Sequence, residues 1–347
     1  MKKLLAVLTA SALALSLAAC SGADSSGSSA AASGSASQSE AASDPASVEG
    51  ASYRIAIVQQ MDHSSLDEIR AAIEAELDAR AAADGITIEY QEFNGQNDAT
   101  MLNQIGTQVV SDGYDAIIPI ASLAAQCMVT AADGDIPVVY AAISDPATAG
   151  LTDLPNVTGT SDALNTAFIM DMMFAIDPDI QTVGLLYSNS EPNSETPIAE
   201  AKAYLEEKGI AYVEATGNTT DEVLTAVSTL TDRVDAVFTP TDNVIMGAAG
   251  AVAETLTDAG IPFYAGADSF VTSGAFATCG VNYTDLGSYT ADMAVDALLS
   301  GEVPADYHVM DGGIITVNTE TAAALGLVYN AFTNMVDNVV EVTTAAE

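Results

Sequence analysis

Short apolar runs alternate with amphipathic segments along most of this chain, and the alternation occurs twice. The first set reads as strand Arg54 to Gln59, helix Ser65 to Ala83, strand Ile86 to Phe93, helix Ala99 to Asp112, strand Ala116 to Ile120, helix Leu123 to Ala132 and strand Pro137 to Ala142. A second set follows Asn156-Val-Thr-Gly-Thr160 and a helix over Leu164 to Ala175. Its strands are Thr182 to Tyr187, Ile210 to Ala215, Ala236 to Thr239 and Phe263-Tyr264, separated by helices Glu195 to Lys208, Asp221 to Thr231 and Asn243 to Ala259. Landmarks recur in order: Gly85-Ile86 with Gly209-Ile210, Asp115-Ala116-Ile117 with Asp235-Ala236-Val237, and Ile136-Pro137 with Ile261-Pro262.

Strands alternating with helices of this length imply parallel sheets with right-handed crossovers. The recurrence predicts an internal duplication, and hence an α/β fold of two doubly wound parallel-sheet lobes joined by a hinge. A helix over Leu286 to Leu299, a strand over Gly313 to Val317 and a short helix over Thr319 to Leu325 are expected to cross back between the lobes. The expected division is 53–161 plus about 282–308 for one lobe and 162–281 plus about 309–340 for the other.

Two open sheets whose carboxyl ends face each other make a cleft, and such sheets bind ligands at those ends. The strand-end turns are Gln59 to Ser65, Ala121-Ser122, Ala142 to Pro146, Tyr187 to Ser194, Thr239 to Asn243 and Gly266 to Ser269. They are rich in hydroxyls, amides and acids. Ser122 is a favoured N-cap for the helix after Ala116 to Ile120, and a helix start there presents free N–H groups and a dipole that favours an anion. Each of these residues taken alone also serves as a local cap, Asp145 before Pro146 and Asp242 before the helix at Asn243.

The first fifty residues do not belong to this pattern. Lys2-Lys3, the apolar run Leu4 to Leu15 and Leu17-Ala18-Ala19-Cys20 read as a bacterial secretory signal ending in a lipobox-like cleavage site, with Cys20 expected to be acylated. Ser21 to Gly50 is almost entirely Ser, Ala and Gly, a composition that reads as a disordered tether spanning roughly 30 Å. No later stretch reaches the ~18 apolar residues of a membrane span, so lipid is the expected anchor, at the outer face of the cell membrane.

The net charge is −40, from 48 acidic and 8 basic residues, which argues against a nucleic-acid partner. After Cys20 the only cations are Arg54, Arg70, Arg80, Lys202, Lys208 and Arg233. A ligand carboxylate would therefore meet backbone amides and hydroxyls. With Cys20 acylated, Cys127 and Cys279 read as buried small hydrophobes, a disulfide between them being the alternative.

Six segments carry a resemblance. They are Gln59-Gln-Met-Asp-His-Ser-Ser-Leu-Asp67, Ser122-Leu-Ala-Ala-Gln126, Ala142-Ile-Ser-Asp-Pro146, Asn156-Val-Thr-Gly-Thr-Ser-Asp162, Leu186-Tyr-Ser-Asn-Ser-Glu-Pro-Asn-Ser194 and Pro240-Thr-Asp-Asn243. Together they resemble the solute-binding lipoproteins of ABC importers, in the tryptophan/tyrosine-binding group, from about Tyr53 to Leu327. The resemblance implies a type I periplasmic-binding fold that closes on a small amino acid and delivers it to a permease and ATPase complex. Carried onto this chain, Ser122 and Ser65 receive the carboxylate, while Asp145 and Asp242 pair with the α-ammonium. Ser188, Asn193 and Asn243 complete the polar shell, with Gln59, His63 and Asp268 at the cleft. The chain has no Trp, so Tyr140, Tyr187, Tyr264 and Phe270 are the candidate aromatic walls, with Met61 filling space.

Catalysis finds little support. His63 and His308 are the only histidines, no Cys-x-x-Cys pair exists and no glycine-rich phosphate loop follows a strand. No cofactor or metal is expected, and the chain is read as a monomer. Two alternatives stay open: a surface-tethered sensing receptor of the same fold, and import of another solute such as a nucleoside.

Overall fold

A computed structural model describes residues 50–345; the secretory signal, Cys20 and the linker up to residue 49 lie outside them. The first half builds β1 (Ser52–Gln59), α1 (Ser64–Asp84), β2 (Thr87–Asn94), α2 (Ala99–Asp112), β3 (Ala116–Ile120), α3 (Ser122–Ala132), β4 (Val138–Tyr140) and β5 (Val157–Ser161). The second builds α4 (Thr166–Ile176), β6 (Thr182–Tyr187), α5 (Glu195–Lys208), β7 (Ala211–Thr216), α6 (Thr220–Ser228), β8 (Ala236–Thr239), α7 (Asn243–Met246), α8 (Ala249–Asp258), β9 (Phe263–Ala265), α9 (Asp268–Thr272) and β10 (Ala277–Gly280). The tail adds α10 (Tyr283–Ser300), β11 (His308–Val309), β12 (Ile314–Asn318), α11 (Thr319–Leu325) and β13 (Val339–Val342).

The strands form two sheets, ordered β11-β5-β4-β3-β1-β2 and β13-β12-β10-β9-β8-β6-β7. The core orders β5-β4-β3-β1-β2 and β10-β9-β8-β6-β7 are the same path traced twice, all parallel, and only β12 runs antiparallel to its neighbour β10. Two doubly wound parallel lobes are thus the architecture.

Residue alternation explains the layering. In β1, Ile55 and Ile57 pack on the α1 and α10 face, while Ala56 and Val58 pack on the α2 and α3 face. Both faces are covered, so the strands read as continuous apolar runs. Val183, Leu185 and Phe238 do the same for α4 and α5 in the second lobe. Cys127 and Cys279 are both buried and free.

The chain crosses between sheets three times, after β5, after β10 and after β11. The first crossing begins at Asp162 and the second ends at Tyr283. One expected helix is corrected: Asn243 to Ala259 is two helices, α7 and α8, broken at Gly247 and Ala248, where Ala248 leaves helical geometry at ψ 9°.

Candidate ligand-binding cleft

The carboxyl ends of both sheets meet around a cavity. From the first lobe come His63 and Ser65 in the β1–α1 turn, Ala121 and Ser122 after β3, Ala142 and Ser144 after β4, and Asp162 after β5. The second lobe contributes Asn193 from the β6–α5 connection and Thr241, Asp242 and Asn243 from the β8–α7 turn. Leu66, Ile69, Met246, Phe270 and the ring of Tyr283 supply an apolar wall.

Two of the turns are strained where they face the cavity. Ala121 sits at φ 75° and ψ 162° and Ala142 at φ 57°, conformations that favour glycine. Ala121, not Ser122, occupies the N-cap of α3, so the expected serine cap is corrected; Gln60 Oε1 instead accepts from the Leu123 amide at 3.0 Å. Ser122 becomes the first helical residue, buried against the cavity.

Asp162 is the acid best placed to meet a cation. Its side chain is fully buried; Oδ1 accepts from Ser144 Oγ at 2.9 Å and Oδ2 from the Tyr283 hydroxyl at 3.1 Å. Each oxygen keeps acceptor capacity. Burial pushes its carboxyl up, against the downward pull of those two donors.

The residues singled out in the sequence divide into two groups. His63, Ser65, Ser122, Asn193, Asp242 and Asn243 come together on the cavity wall. Asp242, however, already accepts from the Ile245 amide at 3.0 Å, the Ser188 amide at 2.7 Å and Ser194 Oγ at 2.7 Å, so it clamps three segments. Gln59, Asp145, Tyr187, Ser188 and Asp268 do not line the cavity. Asp145 Oδ1 accepts from the Thr148 amide, and Oδ2 from the hydroxyls of Thr148 and Thr196. Burial acts to raise its carboxyl, and those donors outweigh it and leave it low.

Gln59 is turned to Asp67 and Arg70 on α1. The Tyr187 hydroxyl donates to Glu214, and Ser188 Oγ bonds Asn218. Asp268 lines a separate depression with Glu68, where burial and then the Glu68 charge push its carboxyl up to about 6. Of the candidate aromatics only Phe270 reaches the cavity; Tyr140 and Tyr264 are in the core. The residues that sequence reasoning did not single out are Asp162, Ser144, Thr241 and Tyr283. An acid directly after the buried small-residue strand Val157–Ser161 was the available signal for the first.

Polar contacts bridge the cleft. Gln60 Nε2 donates to Glu191 Oε1 at 3.1 Å, Thr196 donates to Asp145 at 2.7 Å, and the hydroxyls of Ser144 and Thr241 meet at 3.0 Å. Ser65 and Ser269 meet at 2.5 Å, and His63 Nε2 and Asn243 Oδ1 at 3.0 Å. Burial, and then the nearby Asp242 carboxylate, push Glu191 up to about 8. Between its ordinary 4.5 and about 8 the folded protein holds a proton that the unfolded chain has released, so stability falls as pH rises through that window. Glu191→Gln is expected to flatten this slope in melts recorded from pH 5 to 8. An unchanged slope would place its origin elsewhere.

Among the described residues no group of three or more His, Cys, Asp or Glu is arranged to hold a metal ion. No helix among them is long and apolar enough to cross a membrane. A cavity wall of amides and hydroxyls, two buried carboxylates of which Asp242 is committed to three donors, and an apolar end suits reversible capture of a small zwitterion.

The family model for ABC transporter substrate binding proteins matches residues 54–337. The chain belongs to this family. This substrate-binding protein is 32% identical over 280 residues to the tyrosine-binding protein of Clostridioides difficile, covering 79% of the present chain and 81% of the relative. Among solved structures, it matches the ABC domain in complex with L-Trp from Streptococcus pneumonia at 31% identity and TM-score 0.76, over 84% of this chain and 100% of the other. The ligand-free, open structure of a substrate-binding protein with adhesive properties from Clostridium difficile matches at 32% identity and TM-score 0.63, over 84% and 100%. At nearly equal identity and coverage the structure follows the L-Trp complex more closely than the open form, in keeping with the contacts across its cleft.

Proposed function

We propose that this chain captures an aromatic amino acid outside the cell and presents it to an ABC permease and its ATPase. It does so as a monomeric binding protein without catalytic activity. The observation that carries the ligand reading is the cavity itself: a buried carboxylate and hydroxyls at one part, an apolar wall at another, and no free cation among the lining residues. The names of the relatives, tyrosine-binding and bound to L-Trp, point the same way.

In this reading the ligand's α-ammonium pairs with Asp162 rather than with Asp145, whose oxygens are committed to Thr148 and Thr196. The unpartnered Oδ1 of Asn193, whose Nδ2 donates to the Thr241 carbonyl, is a further acceptor. The carboxylate is received at the start of α3, beside Ser122, where backbone donors and the helix dipole face the cavity. Phe270, Met246, Leu66 and Ile69 enclose the side chain. The moving lobes are 53–161 with 282–308 and 162–281 with 309–340, hinged at the three crossings. Acylated Cys20 and the Ser/Ala/Gly linker tether the whole to the outer face of the membrane.

The test is a thermal-shift screen of residues 51–347 against the twenty amino acids. L-Trp, L-Tyr or both are expected to raise the melting temperature, while acidic and basic amino acids do not. Stabilisation by none of the aromatic residues, at concentrations that saturate micromolar sites, would overturn this reading.

A further inference from the structure

His63 lines the cavity with a run of hydrogen-bonded partners on one side of its ring and none on the other. With Glu191 ionised, the Asn243 amide donates through Nδ2 to Glu191 Oε2 at 2.7 Å, and its Oδ1 is the atom turned to His63 Nε2 at 3.0 Å. That oxygen accepts only, so Nε2 carries the ring proton and Nδ1 presents a bare lone pair. Glu191 is itself held by Gln60 Nε2 from the opposite lobe. Nδ1 is buried and has no partner, on a half-buried side chain that lines the cavity. Burial lowers the imidazole's pKa and keeps it neutral, although the Asn243 bond acts to raise it.

A buried acceptor without a donor carries a penalty that a ligand donor can relieve. Two observations say which ligand donor it is. In the sheet order, β1, which feeds His63, is separated from β5, which feeds Asp162, by β3 and β4. Three inter-strand steps place the two strand ends about 14 Å apart. An ammonium held at Asp162 therefore lies far from His63. The apolar wall, by contrast, shares His63's own supports: Leu66 follows His63 by three residues into α1, and Met246 follows Asn243 by three along α7, both on the cavity side. His63 Nδ1 is at the end where the ligand's side chain lies.

We propose that His63 Nδ1 accepts a hydrogen bond from a ring-borne donor of the ligand, the indole N–H or the phenolic O–H. The inference rests on the aromatic-ligand reading above. In it His63 is the specificity-determining residue that separates tryptophan and tyrosine from phenylalanine, and Asn243 and Glu191 are positioning residues that fix its tautomer.

Calorimetric titration of the wild-type protein and of His63→Phe with L-Trp, L-Tyr and L-Phe tests it. The wild type is expected to prefer at least one donor-bearing ligand over L-Phe by about tenfold or more. His63→Phe loses the Asn243 bond across the cleft and so weakens all three ligands in common, but it should weaken the donor-bearing ligand by about tenfold more than L-Phe and so abolish the preference. The side chain makes no helix-capping bond, so its removal leaves α1 capped as before. An equal loss for all three ligands, or a wild type that binds L-Phe as tightly as the others, overturns the proposal while leaving the aromatic reading intact. Failure of all three to bind the wild type overturns that reading and this proposal with it.

A second readout does not depend on the variant's folding. With only two histidines in the chain, the 15N resonances of His63 are assignable against a His308→Gln protein. At a pH where Glu191 is ionised the Nε2–H tautomer is expected, with an Nδ1 signal that moves on addition of L-Trp or L-Tyr but not of L-Phe. An Nδ1–H tautomer in the complex contradicts the proposal.

Discussion

Asp162→Asn is expected to fold normally and to lose about 100-fold or more in affinity for the amino-acid ligand. Removing one partner of a buried charge pair typically costs about 2–5 kcal/mol, much of it the penalty of leaving the ligand's ammonium buried and uncompensated. The substitution keeps the shape: the amide oxygen accepts from one of the two hydroxyls and Nδ2 donates to the other, which turns to accept, so the two hinge crossings stay joined. Calorimetry for affinity and a ligand-free melt for stability separate the two effects. Asp145→Asn serves as the contrast: its contacts are to Thr148 and to Thr196 across the cleft but outside the cavity, and affinity should fall by less than about tenfold, far short of the Asp162→Asn loss. The same assignment gives a pH dependence. Burial raises the Asp162 carboxyl in the ligand-free protein, and the ammonium needs the ionised form. Affinity should therefore fall as pH drops through that raised range, since a protonated Asp162 must lose its proton to bind.

Gly287→Val should destabilise the first lobe by about 3 kcal/mol and lower the melting temperature by roughly 5–10 °C. Gly287 is the point at which α10 crosses α1. A Cβ there would stand 2.6 Å from the Ile69 carbonyl oxygen and 2.7 Å from the Ala72 methyl, so backbone must move. Because α10 begins at Tyr283, displacing it also weakens the hydroxyl that holds Asp162. Binding should fall with stability. A melt within 2 °C of wild type would show that the two helices pack less closely than described here.

Period and punctuation made the lobes legible. The runs Ala116–Ile120 and Ala236–Thr239 are fully buried strands, and their burial on both faces is what erases the polar alternation of a one-sided sheet. Glycines at Gly85 and Gly209 end α1 and α5 in the left-handed conformation, which is why the two halves could be aligned from them. The break inside 243–259 was not legible, because Gly247 and Ala248 fall in an apolar stretch whose helical period continues across them.

The cleft was legible as a set of turns but not as a set of contacts. Asp145 and Asp162 both follow a buried strand in the first lobe, and local pattern gives no reason to prefer one. What separates them is tertiary: Asp145 finds its donors three residues away and at Thr196, whereas Asp162 meets a hydroxyl 121 residues away and faces the cavity. Asp242 lines the cavity as its turn suggested, and what local pattern does not give is that Ser188 and Ser194 fold onto it. The duplication therefore predicted where cavity-facing turns would lie, and tertiary contacts decide which acids are already committed to other donors.

The structure of this chain in complex with L-tryptophan or L-tyrosine tests the account most directly. It predicts the α-ammonium within hydrogen-bond distance of an Asp162 carboxylate oxygen, the carboxylate at the start of α3 beside Ser122, and the ring among Leu66, Met246 and Phe270. An ammonium seated on Asp145 or Asp242 with Asp162 still bonded only to Ser144 and Tyr283, or a ligand bound outside the cleft, would contradict it.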